Sequence, residues 1–497
     1  MTTSSPAGFP GQNPPNPGQD LASPRQAPSA SRRNPGNPGV DPGPIPGRTP
    51  GSNPGPIPAG RGPAPAPGLG QKAGIGLARG IQRVTASAMG PYQSAVIRIG
   101  FSATYLLFLL RELPNRHELY GPDSPWHWDM ARQLIANNEA FSVLMWSDSA
   151  LWFEAVYVLT LLSAAALLLG WRTRTASVLF MAGVLSVQNR SIFMGDGGDN
   201  VIHLMAIYLV LTRCAQVWSL DARRAKRNAV RNADRAVNGL APVRDVVGPV
   251  LWAVLGPVLL IATLMDGLGG TWWLPVLLWV IWLGSAAWWA ANRFAPHGEP
   301  RTLLDVLANL AHNATLAVIM AEVCLIYATA GWYKIQGSRW QDGTALHYPL
   351  QLDYFSPWPG LSDILASNGV MVMALTYGTV IVQVAFPFTL FNRRVKNVLL
   401  VAMICEHAGI ALLLGLPFFS MAMIAADAVF LPTVFLVWLG GRVALGRERL
   451  FSRLPRVAGG PGAPGDSGRV PGRPGTDRAG TREAPQRGAG GGHTLVG

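Results

Sequence analysis

The chain has 497 residues, 49% of them hydrophobic and 13% charged, with a formal net charge of +13. Soluble domains carry about 25% charged residues, so the composition argues against an ordinary soluble enzyme and points to a membrane protein. Residues 1–92 hold eight Arg/Lys against two acids, and residues 440–497 hold ten against four. The positive charge therefore lies in the tails, which fits cytoplasmic retention rather than nucleic-acid binding.

In chain order, residues 1–92 predict a disordered, Pro/Gly-rich cytoplasmic tail, with strings such as Asn34-Pro-Gly-Asn-Pro-Gly39 that have little to bury. Nothing long and apolar precedes Ser94, so the first membrane segment is expected to serve as its own insertion signal. Ten stretches then approach the length and apolarity of a helical span: 94–111, 150–170, 175–189, 200–220, 246–265, 272–291, 304–333, 369–391, 396–416 and 417–439. The fold class expected is an all-α polytopic membrane protein of about ten transmembrane helices with disordered tails. Its membrane domain covers 93–440, with 246–291 as a possible inserted helix pair, and 441–497 form a basic, disordered cytoplasmic tail.

The connecting loops set the orientation. Trp171-Arg-Thr-Arg174, the Arg/Lys-rich stretch from Arg223 to Arg244, Arg293 to Arg301, and Arg393-Arg-Val-Lys396 alternate with loops poorer in Arg and Lys. A cytoplasmic N-terminus puts all four basic loops inside, with both termini in the cytoplasm of a multi-pass cell-membrane protein. Lys334 then falls at the extracytoplasmic end of the seventh stretch. Cys214, Cys324 and Cys405 lie in apolar surroundings and offer no disulfide framework. Motifs of nucleotide-binding loops, zinc proteases and serine hydrolases are missing.

An ionisable group costs about 2.5–3.5 kcal/mol at the centre of a span, so those that occur there are candidates for function. Here they are Arg98, Glu154, His203, His312, Glu322, Glu406, His407 and Asp427. Glu406, His407 and Asp427 fall near the middle of the last two stretches, as a clamp between helices, a proton path or the lining of a polar cavity. Arg98 and Glu154 are expected to neutralise each other across the first two spans. Asp196, Asp199 and Asn200 in Gly195-Asp-Gly-Gly-Asp-Asn200 supply oxygens, yet hard cations take six or more, so the loop is read as a turn with a helix cap and no metal is assigned. Asn200 and His203, one turn apart, would face a shared cavity. Tyr327, Gly331 and Lys334 recur on one helical face, Gly331 leaving room for a neighbouring helix. Glu322, twelve residues away and about 18 Å along the helix, cannot pair with Lys334. Lys334 beside Trp332 and Trp340 is either an interfacial anchor or a base.

Asn189-Arg through Gly195-Asp-Gly-Gly-Asp-Asn200, together with Ala330-Gly-Trp-Tyr-Lys334 followed by Trp340-Gln-Asp-Gly-Thr-Ala-Leu346, resembles the membrane domain of the vitamin K-dependent gamma-carboxylase family. The closest likeness is to its bacterial HTTM set, the horizontally transferred transmembrane domain. The resemblance implies that Lys334 is a catalytic base at the extracytoplasmic face, that a reduced quinone is a possible cofactor, and that a secreted peptide or lipid-soluble molecule is the substrate. The animal enzyme's large extracytoplasmic substrate-binding region has no counterpart after the last span, so gamma-carboxylation itself is not the expected activity. His203, Asn200, Tyr327, Glu322, Trp340, Glu406, His407 and Asp427 are the expected cavity or binding residues. The competing expectation is a non-enzyme: a proton-coupled transporter using Glu406, His407 and Asp427, or a membrane partner of a secreted protein.

Overall fold

A computed structural model of the chain describes residues 69–243 and 245–453. The stretches 1–68 and 454–497, expected to be disordered, lie outside the described residues. Those described form helices joined by short loops, with no strand among them. The N-terminal part comprises α1 (Leu69–Ala86), α2 (Pro91–Glu112), α3 (Arg116–Leu119), α4 (Trp128–Asn137), α5 (Ala150–Leu169), α6 (Thr173–Arg190), α7 (Gly197–Leu211) and α8 (Leu220–Val237). A hairpin of α9 (Val247–Leu264) and α10 (Trp273–Phe294) follows, then the long α11 (Glu299–Gln336). The short α12 (Ser338–Gln341), α13 (His347–Leu350) and α14 (Pro359–Ala366) lead to α15 (Gly369–Ala385), α16 (Arg393–Leu413), α17 (Pro417–Asp427) and α18 (Thr433–Arg453).

Among the described residues, seven helical stretches are long and apolar enough to cross a membrane, or eight if one bent pair counts as a single span. Seven of the ten expected stretches correspond to them, and three differ for identifiable reasons. The 175–189 stretch forms α6, which carries Arg174 and Arg190 at its ends and Gln188 and Asn189 in its last turn. The 200–220 stretch stops at Leu211, because α7 is only 15 residues long. The 417–439 stretch is not straight: it bends by 118° between Phe430 and Thr433. Pro432 explains the bend, since a proline drives the preceding residue out of helical geometry, and Leu431 is extended at φ −64°, ψ 137°. Helix α1 falls within the expected 1–92 stretch, and α18 continues to Arg453, inside the expected 441–497 stretch.

The core forms where α2 packs against α5, α7 and α17. Its buried face repeats at helical spacing through Ser94, Ile97, Arg98, Phe101, Tyr105 and Phe108. Gly100 permits the approach of α17, because a Cβ there would lie 2.5 Å from that of Ala425. On the outside, α9 and α10 are the least enclosed spans, each 11% buried, and they pair through Trp252 and Trp282. These two indoles stack at 4.3 Å, and each donates its N–H to the other's backbone carbonyl.

The expected Arg98–Glu154 pair does not form. Glu154 instead accepts from Arg116 at 2.9 Å and lies 2.7 Å from His117 Nε2. Arg98 is fully buried and donates to four backbone carbonyls: Leu167, Leu168 at 2.8 Å, Cys214 at 3.2 Å and Trp218 at 2.9 Å. These carbonyls lie where α5 ends and where the chain leaves α7; Leu167 O also accepts from the Gly170 amide, and one guanidinium ties three segments together. Gly170 makes the close turn possible: its φ is +66°, and a Cβ there would lie 2.4 Å from Ser219. Asp221 completes the junction by accepting from the Arg172 and Thr173 amides. Nearby, Arg172 grips Asp245 and holds its carboxyl below the usual range.

Arg98→Leu is expected to lower the thermal midpoint of the purified protein in detergent, costing about 3 kcal/mol because several buried carbonyls lose their donor. Arg98→Lys should recover part of that loss. An unchanged midpoint in the leucine variant would contradict this role.

Candidate functional site

Five of the expected residues converge between α11, α15, α16 and α17. Tyr327, Gly331 and Lys334 do share a face of α11, and a Cβ on Gly331 would come within 2.6 Å of Val384. That close approach brings α15 alongside Lys334. Its Nζ donates to Gln383 Oε1 at 2.9 Å, and Gln383 Nε2 donates to Glu406 Oε1 at 2.6 Å. Amine, amide and carboxylate thus form a continuous series across three helices. Lys334 is half-buried and Gln383 only 5% exposed, so the series leads inward.

A second set begins one residue further along α16. His407 and Asp427 are 2% and 0% exposed, and the Tyr327 hydroxyl lies between them. That oxygen is 3.0 Å from His407 Nε2 and 3.0 and 3.1 Å from the two Asp427 oxygens. A hydroxyl carries one proton, which fixes the possible directions. With Asp427 ionised, His407 Nε2–H donates to Tyr327, which donates to Asp427. With Asp427 protonated the order reverses, and the imidazole proton sits on Nδ1. His407 Nδ1 is buried without a hydrogen-bond partner, beside the ring of Phe419 at 5.6 Å between centroids. The two arrangements differ by one proton, so the triad reverses its hydrogen bonds on taking up or losing a proton, with no movement of heavy atoms.

The end of α17 is shaped by the same neighbourhood. The Pro432 break leaves carbonyls without helical partners, and side chains from elsewhere fill them. Lys396 Nζ donates to Phe430 O, and Gln93 Nε2 to Leu431 O at 2.8 Å. Asp427 is thus held at the last turn of a helix whose end is pinned from two sides.

Trp340 stands next to Lys334, the amine 5.2 Å from its ring centroid. The Trp340-Gln-Asp-Gly-Thr motif builds the turn that puts it there. Asp342 accepts from the Thr344 amide at 3.0 Å and from its hydroxyl, which holds the Asp342 carboxyl below its usual range. Gly343 takes φ +75° against Met373 and Tyr377, a conformation and a space that suit only glycine.

The other expected residues lie apart. His203 Nδ1 pairs with Gln188 Oε1 at 3.1 Å between α6 and α7, whereas Asn200 is exposed, so the two do not line one cavity. Glu322 is on α11 near Tyr208, with one carboxyl oxygen buried and unpaired, and it does not touch Lys334. The Gly195–Asn200 loop is a helix start: Asp196 caps α7 and Asp199 bonds back to the Asp196 amide. Among the described residues, no group of three or more His, Cys, Asp or Glu is placed to hold a metal ion. Gln383 is the residue that sequence reasoning missed. Its signal is a lone amide in the apolar run of α15, without the charge that marks Lys334 and Glu406.

Comparison with known proteins finds no matching family model, no matching curated protein and no matching solved structure.

Tyr327→Phe removes the only hydroxyl between His407 and Asp427 and leaves both short of a partner. The expected cost is about 2 kcal/mol, read as a lower unfolding midpoint. A midpoint equal to wild type would show that the three groups are not mutually bonded.

Proposed function

We propose that this chain is a polytopic cell-membrane protein of the HTTM type, with both termini cytoplasmic, and that it transfers a proton from its substrate to Lys334 at the extracytoplasmic face. The substrate class is a lipid-soluble molecule or a secreted peptide. The orientation is supported by the basic loops and by Arg98 and Lys396, whose bonds gather the start of α2, the ends of α5 and α17 and the start of α16 at one end of the bundle. Lys334, in the last turn of α11, belongs to the opposite end. Counting the bent pair as one crossing gives eight, an even number.

The observation that carries the enzymatic reading is the Lys334–Gln383–Glu406 series. A neutral amine at Lys334 takes a proton from substrate, and the resulting ammonium donates to Gln383, whose amide hands the interaction on to the Glu406 carboxylate. Gln383 orients the amine, and Glu406 offsets the positive charge without capturing Lys334 in a direct ion pair. Trp340 supplies a flat apolar wall on the open side. These residues suit a membrane-soluble ring with an acidic hydroxyl, such as the reduced quinone implied by the resemblance: Lys334 would meet the hydroxyl and Trp340 the ring. When bound, such a group would supply reaction with oxygen, which no side chain here provides.

Proton-coupled transport is the second reading, favoured by the His407–Tyr327–Asp427 set. Its two proton arrangements, next to a broken helix, are what a relay requires, and discontinuous helices commonly form transport sites.

The two readings separate in strains carrying wild type, Lys334→Ala or Asp427→Asn at equal membrane abundance, compared with a deletion strain. Mass spectrometry of secreted peptides and membrane lipids should find a species altered in the deletion and in Lys334→Ala, with product formation reduced at least a hundredfold. A species altered only in the deletion strain would sink the catalytic role of Lys334. Proton-coupled flux in vesicles lost in Asp427→Asn and retained in Lys334→Ala would favour transport.

A further inference from the structure

A cluster of cations stands at the other end of the bundle, remote from Lys334. Four helix ends meet at Trp288, near the end of α10. Arg301, in the first turn of α11, places its guanidinium carbon 4.0 Å from the ring centroid. Arg174, at the start of α6, is at 4.6 Å, and Arg213, just beyond α7, is at 5.7 Å. The three guanidinium carbons therefore lie within about 10 Å of one another, close to the screening length in physiological salt.

Asp305 is the carboxylate paired with this group, and it serves two of the three: it pairs with Arg301 and lies 3.3 Å from Arg213. The same two arginines are further occupied by neutral oxygens, Arg301 by Asn292 at 2.7 Å and Arg213 by Asn309 at 2.6 Å. The Arg174 side chain has neither a hydrogen bond nor an ion pair to a described residue; the Trp288 ring is its contact, and the residue is exposed. Three charges against one leave a surplus of two. Close cations repel, so an anion that bridges them gains from each. Five free N–H donors in a planar fork match the oxygens of a phosphate group.

We propose that Arg174, Arg213 and Arg301, arranged around Trp288, bind the phosphate of an anionic glycerophospholipid headgroup. The setting favours a lipid over a soluble phosphate. Trp288 belongs to the helix pair that the bundle covers least, and Val276, Val280 and Leu283 are exposed apolar residues on the same helix. Acyl chains along that surface would carry their headgroup to Arg174. Basic pockets between helices on the cytoplasmic side suit such headgroups. The inference rests on the membrane reading above but not on any chemistry at Lys334.

Native mass spectrometry of the purified full chain, titrated with phosphatidylglycerol or with phosphatidylcholine, tests it. Wild type should retain phosphatidylglycerol in preference to phosphatidylcholine. Arg174→Gln should weaken phosphatidylglycerol about fivefold, the worth of one basic residue near a charged headgroup. Arg174→Lys, which keeps the charge, should retain most of the affinity. Because Arg174 makes just the ring contact, the thermal midpoint of Arg174→Gln should match wild type. Equal retention of the two lipids by wild type, or equal phosphatidylglycerol affinity in Arg174→Gln, overturns the proposal. Displacement of the lipid by millimolar inorganic phosphate would keep the phosphate chemistry and overturn its lipid source. Carbonate extraction of membranes separates either failure from failure of the membrane reading: a chain released by carbonate is not integral.

Discussion

Pro432 interrupts the last apolar segment, and much of the polar interior is arranged around that interruption. A helix that stops at such a break leaves carbonyls without helical partners, and here part-buried carbonyls find donors on other helices. Gln93 on α2 and Lys396 on α16 provide those donors. Once they do, α2, α16 and α17 are fixed relative to one another, and Asp427 is committed to a position facing Tyr327 on α11. The buried triad is thus a consequence of how the break is repaired.

The same rule operates at Arg98, with the roles reversed. There the carbonyls come from the turn between α5 and α6 and from the chain beyond α7, and a single side chain donates to four of them. A guanidinium is suited to this because its donors are spread in one plane and it has no acceptor to satisfy in return. Its charge is met by the negative ends of the carbonyl dipoles rather than by a carboxylate. Buried cations in this fold are structural where carbonyls surround them. Arg174 differs: it is exposed, and its guanidinium bonds to no carbonyl or carboxylate among the described residues.

Lys334 and the His407–Tyr327–Asp427 set occupy neighbouring parts of one interface, joined through the consecutive residues Glu406 and His407. On a helix consecutive side chains point about 100° apart, so one residue addresses α15 and the next addresses α11 and α17. The half-buried amine therefore has a polar route into a region where His407 Nδ1 stands unpaired.

The sequence by itself determined the helical class, seven of the apolar stretches, the shared face of Tyr327, Gly331 and Lys334, and the capped turn at Asp196. All of these follow from composition, helical period or local turn chemistry, which neighbouring residues dictate. The sequence analysis reads 417–439 as one span, and the break at Pro432 comes from the structure. The tertiary structure decided the partners. Arg98 took carbonyls 69 to 120 positions away instead of Glu154, and Lys334 took Gln383, 49 positions on. Tyr327 joined Asp427, 100 positions on, while His203, Asn200 and Glu322 were left elsewhere. Charge and period say that a buried polar group needs a partner, but the partner's identity depends on which helices pack together, and that is set by packing across the whole bundle.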